Sequence, residues 1–174
     1  NQRRRSASPY RVPRWRKLAL ELLESRLLLA LDFQLLKDIS ANSPSSSSDP
    51  SSIVEVGSSI FFAADGPGGR ELWKSDGIEA GTVRVKDIRV GGGDSSPRNL
   101  INAGGTLYFV ANDGSSGEEL WRSDGTDAGT IRVKDIRAGA GSSGPHNLTM
   151  LGDALYFVAN DGASGLELSK SDGT

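Results

Sequence analysis

Six carboxylates recur in register and are the residues best suited to chemistry. Asp65, Asp113 and Asp161 are each followed six residues later by Glu71, Glu119 and Glu167, in the pattern DGxxGxE. A loop of that kind gathers two carboxylates and several backbone carbonyls, and calcium takes oxygen ligands of both sorts. The acidic positions that an EF-hand places between them are missing. Asp-Gly also closes turns without any ion. The preferred reading is a turn with its Glu facing solvent, and calcium is the alternative; no other cofactor is expected.

Catalytic groups are sparse. His146 is the only His and sits in a Gly/Ser/Pro stretch with no recurring partner, which reads as a surface loop residue. Ser is plentiful, but none stands in a nucleophile elbow. Gly91, Gly92 and Gly93 lack the Lys-Ser/Thr and helix of a phosphate loop. No catalytic residue is expected, and the chain reads as a non-enzyme. Other recurring polar residues read as structural. Asp76, Asp124 and Asp172 occupy Ser-Asp-Gly turns, each Asp followed by Gly77, Gly125 and Gly173. Asp38, Asp87 and Asp135 fall in Lys-Asp-Ile segments on the side of Val85 and Val133, where a buried carboxylate needs a bracing bond to backbone. Trp73 and Trp121 read as core, with stacking on a sugar as the alternative.

These residues share one frame. ELWKSDG (71–77) returns as ELWRSDG (119–125) and ELSKSDG (167–173), each step being 48 residues. VRVKDI (83–88) returns as IRVKDI (131–136), with a degenerate LLKDI at 35–39, and IFF (60–62) returns as LYF at 107–109 and 155–157. Each period reads as four strands, for example TLYFVA (106–111), EELWRS (118–123), IRVKDI (131–136) and NLTML (147–151). Short Gly-rich links suit antiparallel neighbours, so each period is a four-stranded meander. Leu107 and Phe109 face one way, Tyr108 and Val110 the other, and both faces are apolar. A sheet covered on both sides fits stacked β-propeller blades, with a β-solenoid as the alternative all-β architecture. The repeat region spans 32–174: a partial unit at 32–56, full units at 57–104 and 105–152, and a partial unit at 153–174. The two partial units are complementary halves of one blade. Three blades are too few for an ordinary ring of about 4–8, so the chain is expected to belong to a longer array or to self-associate. The polar, Ser-rich stretch 40–52 reads as an elongated loop.

Composition agrees. The 174 residues include 22 Gly against 7 Pro and no Cys, which excludes disulfides and thiolate metal sites. Residues 1–31 hold eight basic against two acidic residues, a net +6 on a chain whose total is −2. A basic head on an acidic body argues against nucleic-acid binding, because the body would repel phosphate. The Leu-rich part of this head is interrupted by Glu21, Glu24 and Arg26, so it is too short to span a bilayer. An amphipathic helix or a disordered segment is expected there. The chain opens on Asn1, as a piece of a longer protein would.

Two resemblances sharpen the expectation. LESRLLLA (23–30) resembles the N-terminal LExRLLLA motif of planctomycete extracellular proteins, which implies a bacterial protein that is secreted or held at the cell surface. Across 32–174 the blocks resemble the ELWxxDGT repeat family, also called hyalin-like, and ELWRSDGTDAGTIRVKDI fits nearly throughout. Departures are Ile78 for Thr, Ser169 for Trp, and the degraded first copy. The Ser-Asp-Gly turns also resemble the Asp-box hairpin of sialidases, without its Trp. The family resemblance implies propeller-like surface or secreted proteins with no catalytic activity attached. The expected function is adhesion or the binding of a protein or glycan at the cell surface. An architectural part of a larger secreted protein and a calcium-dependent lectin-like module are the alternatives. Asn147-Leu148-Thr149 is a formal glycosylation sequon that a bacterium would leave unused.

Overall fold

The computed structural model describes residues 34–40 and 46–173. The basic head (1–31) with its LExRLLLA segment, and the middle of the Ser-rich stretch, lie outside the described residues. Among the described residues there is no helix and every regular element is a strand.

Three antiparallel sheets follow one another along the chain. The first holds β1 (Ser51–Val56), β2 (Ser59–Gly66), β3 (Gly69–Ser75) and β4 (Val83–Lys86) in sequential order. The second repeats it with β5 (Arg98–Ala103), β6 (Thr106–Asn112), β7 (Glu118–Ser123) and β8 (Ile131–Lys134). The third has β9 (His146–Leu151), β10 (Ala154–Asn160) and β11 (Leu166–Ser171), with β10 in the middle. Four strands per repeat is as expected, but the phase differs. NLTML opens the third sheet and does not close the second, because Gly152 and Asp153 join β9 to β10 as a tight hairpin that pairs Leu151 with Ala154. The longer Gly-rich stretch 135–145 instead carries the chain from one sheet to the next.

A second difference lies in the Lys-Asp-Ile segments. The strand stops at Lys86 and Lys134, so Asp87 and Asp135 stand just past strand ends, and residues 34–38 form no strand at all. Ladder pairing ends there because the next amides are taken by a side chain, described below. The first partial unit therefore contributes one described strand, β1, which takes in Ser51 and Ser52 from the expected loop.

Each first strand carries a bulge at a residue held in the left-handed region: Ser52, Asn99 and Asn147, with φ of 56°, 55° and 55°. Asn tolerates this conformation better than most residues with a Cβ, and the register of β1, β5 and β9 shifts at these three positions.

The two apolar faces read from TLYFVA are both covered. Leu107, Phe109, Ala111 and Trp121 of the second sheet pack against Phe61, Leu72, Val85 and Ile88 of the first. On the opposite face, Tyr108 and Leu120 pack with Leu155, Phe157 and Ala159 of the third sheet, together with the half-buried Val133 and Ile136. Each fully buried Leu or Phe contributes about 1.5–3 kcal/mol. Hydrogen bonds also cross between the first two sheets: Asn102 Nδ2 donates to Glu55 O at 2.9 Å and Lys74 Nζ to Gly125 O at 2.8 Å. First strands lie beside first strands, β1 next to β5 and β5 next to β9.

Candidate functional site

The Glu expected to face solvent does so in only one of three copies. Glu71 and Glu119 are fully buried. The backbone alternation of β3 turns Glu71 inward with Ala64, its cross-strand neighbour, while Arg70 and Asp65 pair one step along on the other side. Burial of a carboxylate needs donors, and they come from the chain leaving the sheet. Glu71 accepts from the amides of Ile88 (3.0 Å) and Arg89 (3.3 Å) and from Ser95 Oγ (2.6 Å). Glu119 accepts from the amides of Ile136 (3.0 Å) and Ser143 (3.0 Å) and from Ser143 Oγ (2.7 Å). Each Glu thus ends the fourth strand and anchors the crossing to the next sheet. Burial pushes the Glu71 carboxyl above its ordinary value, against the bonds from Ser95, Ile88 and Arg89 that pull it down. Glu167, on β11, is exposed. Sequence reasoning missed the bracket, although Ser95 and Ser143 each fall 24 residues after their Glu and could have revealed it.

The Asp partners have other work. Asp113 accepts from the amides of Ser115 and Ser116 and the hydroxyl of Ser115, and pairs with Arg132 at 3.3 Å. Burial would raise its carboxyl, but these bonds and the guanidinium outweigh it and hold it below the usual range. Asp161 is held low by the amides of Ser164 and Ala163. Asp65 pairs with Arg70 at 3.1 Å. Asp and Glu of the first two pairs are therefore engaged by different partners. Among the described residues no three His, Asp or Glu side chains gather as metal ligands would.

The Ser-Asp-Gly turns carry a second repeated device. Ser123 Oγ and Thr130 Oγ1 lie 2.7 Å apart and buried, as do Ser75 Oγ and Thr82 Oγ1, and each Ser accepts from the Gly amide two residues on. Asp124 takes both the amide and hydroxyl of Thr126, and the hydroxyl chiefly lowers its carboxyl. Gly129 admits this carboxylate, since a Cβ there would stand 2.1 Å from Asp124. Asp172 occupies the equivalent turn position at the end of the third sheet. Asp135 accepts the amide of Gly139 at 3.4 Å and lies 3.9 Å from Arg132, as Asp87 lies 3.7 Å from Arg84, while Oδ1 of each is buried without a hydrogen bond among the described residues. Asp38 is exposed. His146 is the first residue of β9, half-buried, with Nδ1 3.0 Å from Gly144 O.

The rings of Trp73 and Trp121 are buried. Trp121 Nε1 donates to Ala111 O at 3.1 Å, and its ring lies 6.5 Å from that of Phe109 between the first two sheets. On β11 the equivalent residue is Ser169, and there a groove of about 550 Å³ opens between the second and third sheets. Its apolar floor is Leu120, Val133, Ile136 and Phe157, and its rim carries Lys134 and Lys170. Groove and missing indole coincide: the cleft is the place where one repeat leaves a core position unfilled. No protein family, curated protein or solved structure matches this chain.

Proposed function

We propose that this chain is a non-catalytic, propeller-like repeat module of the ELWxxDGT type, exported or held at the cell surface, that serves adhesion or the binding of a protein or glycan. The observation that carries this reading is the inward use of the repeated polar groups. Glu71, Glu119, Ser75 and Ser123 are buried and bonded to the scaffold, so the elements that recur build a frame and leave recognition to what varies between repeats. Sheets stacked face to face, with first strands adjacent, suit blades around an axis. The groove beside Ser169, lined by Lys134, Lys170 and Asp172 around an apolar floor, supplies an irregular surface of the kind that binding modules use.

Labelled protein applied to a glycan array and to intact bacterial cells tests the reading. Saturable binding that weakens when Lys170 is changed to Glu supports it. Absence of binding in both assays, or turnover of ester or glycoside substrates by the purified chain, overturns it.

A further inference from the structure

We infer that a small cavity between the first two sheets is a subsite for one neutral hexose unit of a glycan, held between Lys74 and Asp124, which rests on the reading of the chain as a binding module.

The cavity lies where the β1–β2 turn, the β5–β6 turn and the turn after β7 meet, and it encloses about 270 Å³. Sites for drug-sized ligands run to about 300–1,000 Å³, so this one has room for a single sugar ring. Val56 and the edge of Phe61 give it an apolar wall, and Ser58, Ser59, Lys74 and Asp124 give it polar groups. Gly125 keeps it open, since a Cβ there would stand 3.1 Å from Phe61 Cζ and 3.7 Å from Lys74 Nζ.

The polar groups have capacity to spare. Lys74 Nζ donates to Gly125 O at 2.8 Å, and an ammonium has three donors. Asp124 takes the amide and hydroxyl of Thr126 both on Oδ1, which leaves the lone pairs of Oδ2. Ser58 is exposed, and its hydroxyl can donate or accept. Neighbouring hydroxyls of a sugar match this set: one accepts from the ammonium while the next donates to the carboxylate. Lys74 and Asp124 cancel in charge, so the site favours an uncharged ring over a uronate or an amino sugar. The C–H face of that ring meets Phe61 and Val56.

The next interface shows why the cavity is here. Tyr108 holds on β6 the place that Phe61 holds on β2, the one opposite Arg122 and the other opposite Lys74. A Cβ on Gly173, the counterpart of Gly125, would run into the Tyr108 hydroxyl. That hydroxyl takes up the space that Phe61 leaves free. Gly105 likewise stands where Ser58 stands, in a two-residue turn of the same kind. The recurring residues shape the site, and two that differ between repeats, Phe61 and Ser58, open and furnish it.

Saturation-transfer NMR of the whole chain with the methyl glycosides of glucose, galactose and mannose, and with the matching uronates and hexosamines, tests the assignment. At least one neutral methyl hexoside is expected to receive saturation and to bind more tightly than its charged counterparts. Phe61→Tyr and Ser58→Gly copy residues that the second sheet carries, so both variants are expected to keep the circular dichroism spectrum. Phe61→Tyr is expected to weaken binding about tenfold or more, because its hydroxyl fills the cavity. Ser58→Gly is expected to weaken it about fivefold, the share of one hydrogen bond. Binding that neither variant changes, or tighter binding of a uronate or hexosamine, overturns the inference. So does the absence of saturation on every hexoside. If the chain then still attaches to cells, the wider binding reading stands, and if it attaches to nothing, both fall.

Discussion

Glu119 on β7 receives both the amide and the hydroxyl of Ser143, at 3.0 and 2.7 Å, and so ties the second sheet to the chain that enters the third. Glu71 uses Ser95 in the same way one repeat earlier, though only through its hydroxyl. Removing Glu119 as Ala strands the amide of Ile136 and leaves the amide and hydroxyl of Ser143 only their longer bonds to Glu118 O, at 3.1 and 3.3 Å. The expected loss is about 2 kcal/mol, against about 1 kcal/mol for Ser143→Ala, which removes only the hydroxyl shared by Glu119 and Glu118 O. A double-mutant cycle by urea unfolding is expected to show strong coupling, and additive losses would deny the bracket.

The same bracket explains how much of the molecule was legible in the sequence. Hydrophobic alternation disclosed the strands, because Leu107 and Phe109 against Tyr108 is a local pattern, and the Gly-rich turns marked their ends. What local pattern could not disclose was which hairpins share a sheet. NLTML follows IRVKDI within one period and so reads as its last strand, whereas the two-residue turn at Gly152 and Asp153 pairs it with the strand that follows. Nor could it disclose that Glu71 and Glu119 are buried, since the bonds that make burial tolerable come from residues 17 to 24 positions away. A charged residue reads as exposed unless its remote donors are known. The vacancy at Ser169 was legible as a departure, but its consequence, a groove, depends on the packing of Ile136 and Phe157.

Stability should depend on pH in two opposed ways. Burial raises the Glu71 carboxyl in the folded chain, so the folded state holds that proton more tightly than the unfolded one. Its contribution is full below the unfolded value of about 4.3 and is lost as pH rises through the folded value. Asp113 is lowered, so its contribution is present above about 3.9 and is lost as pH falls through its folded value. Melting curves taken from acid to neutral pH are expected to show the wild type losing ground to Glu71→Gln as pH rises and gaining ground on Asp113→Asn. Parallel curves for both variants would contradict the assignment.

The first Ser-Asp-Gly turn is the weaker of the two complete ones. Thr126 gives its hydroxyl to Asp124 and accepts the amide of Gly129 at 2.9 Å, whereas Ile78 offers Asp76 only its amide. Ile78 is also 59 % exposed, so its side chain gains little from burial. Ile78→Thr is expected to stabilise by about 1 kcal/mol, read as a higher urea midpoint with unchanged slope. A lower midpoint would mean that the hydroxyl does not reach Asp76.

Restoring the indole on β11 tests whether the groove is a packing vacancy. Trp121 fills the interface between the first two sheets, and Trp121→Ser there is expected to cost about 3–5 kcal/mol, the usual penalty for emptying a large aromatic site. Ser169 leaves about 550 Å³ open over Ile136 and Phe157, ample room for an indole, and it lies in a pocket that is already apolar at its floor. Ser169→Trp is therefore expected to stabilise by about 1–2 kcal/mol, less than the reverse change costs, because an open groove leaves part of the new ring in water. The new Trp should emit at shorter wavelength than an exposed indole. It should also abolish any binding that uses the groove while sparing binding through the loops. Destabilisation, or emission typical of a solvated ring, would show that β11 does not hold residue 169 over the groove as β7 holds Trp121 over the first interface.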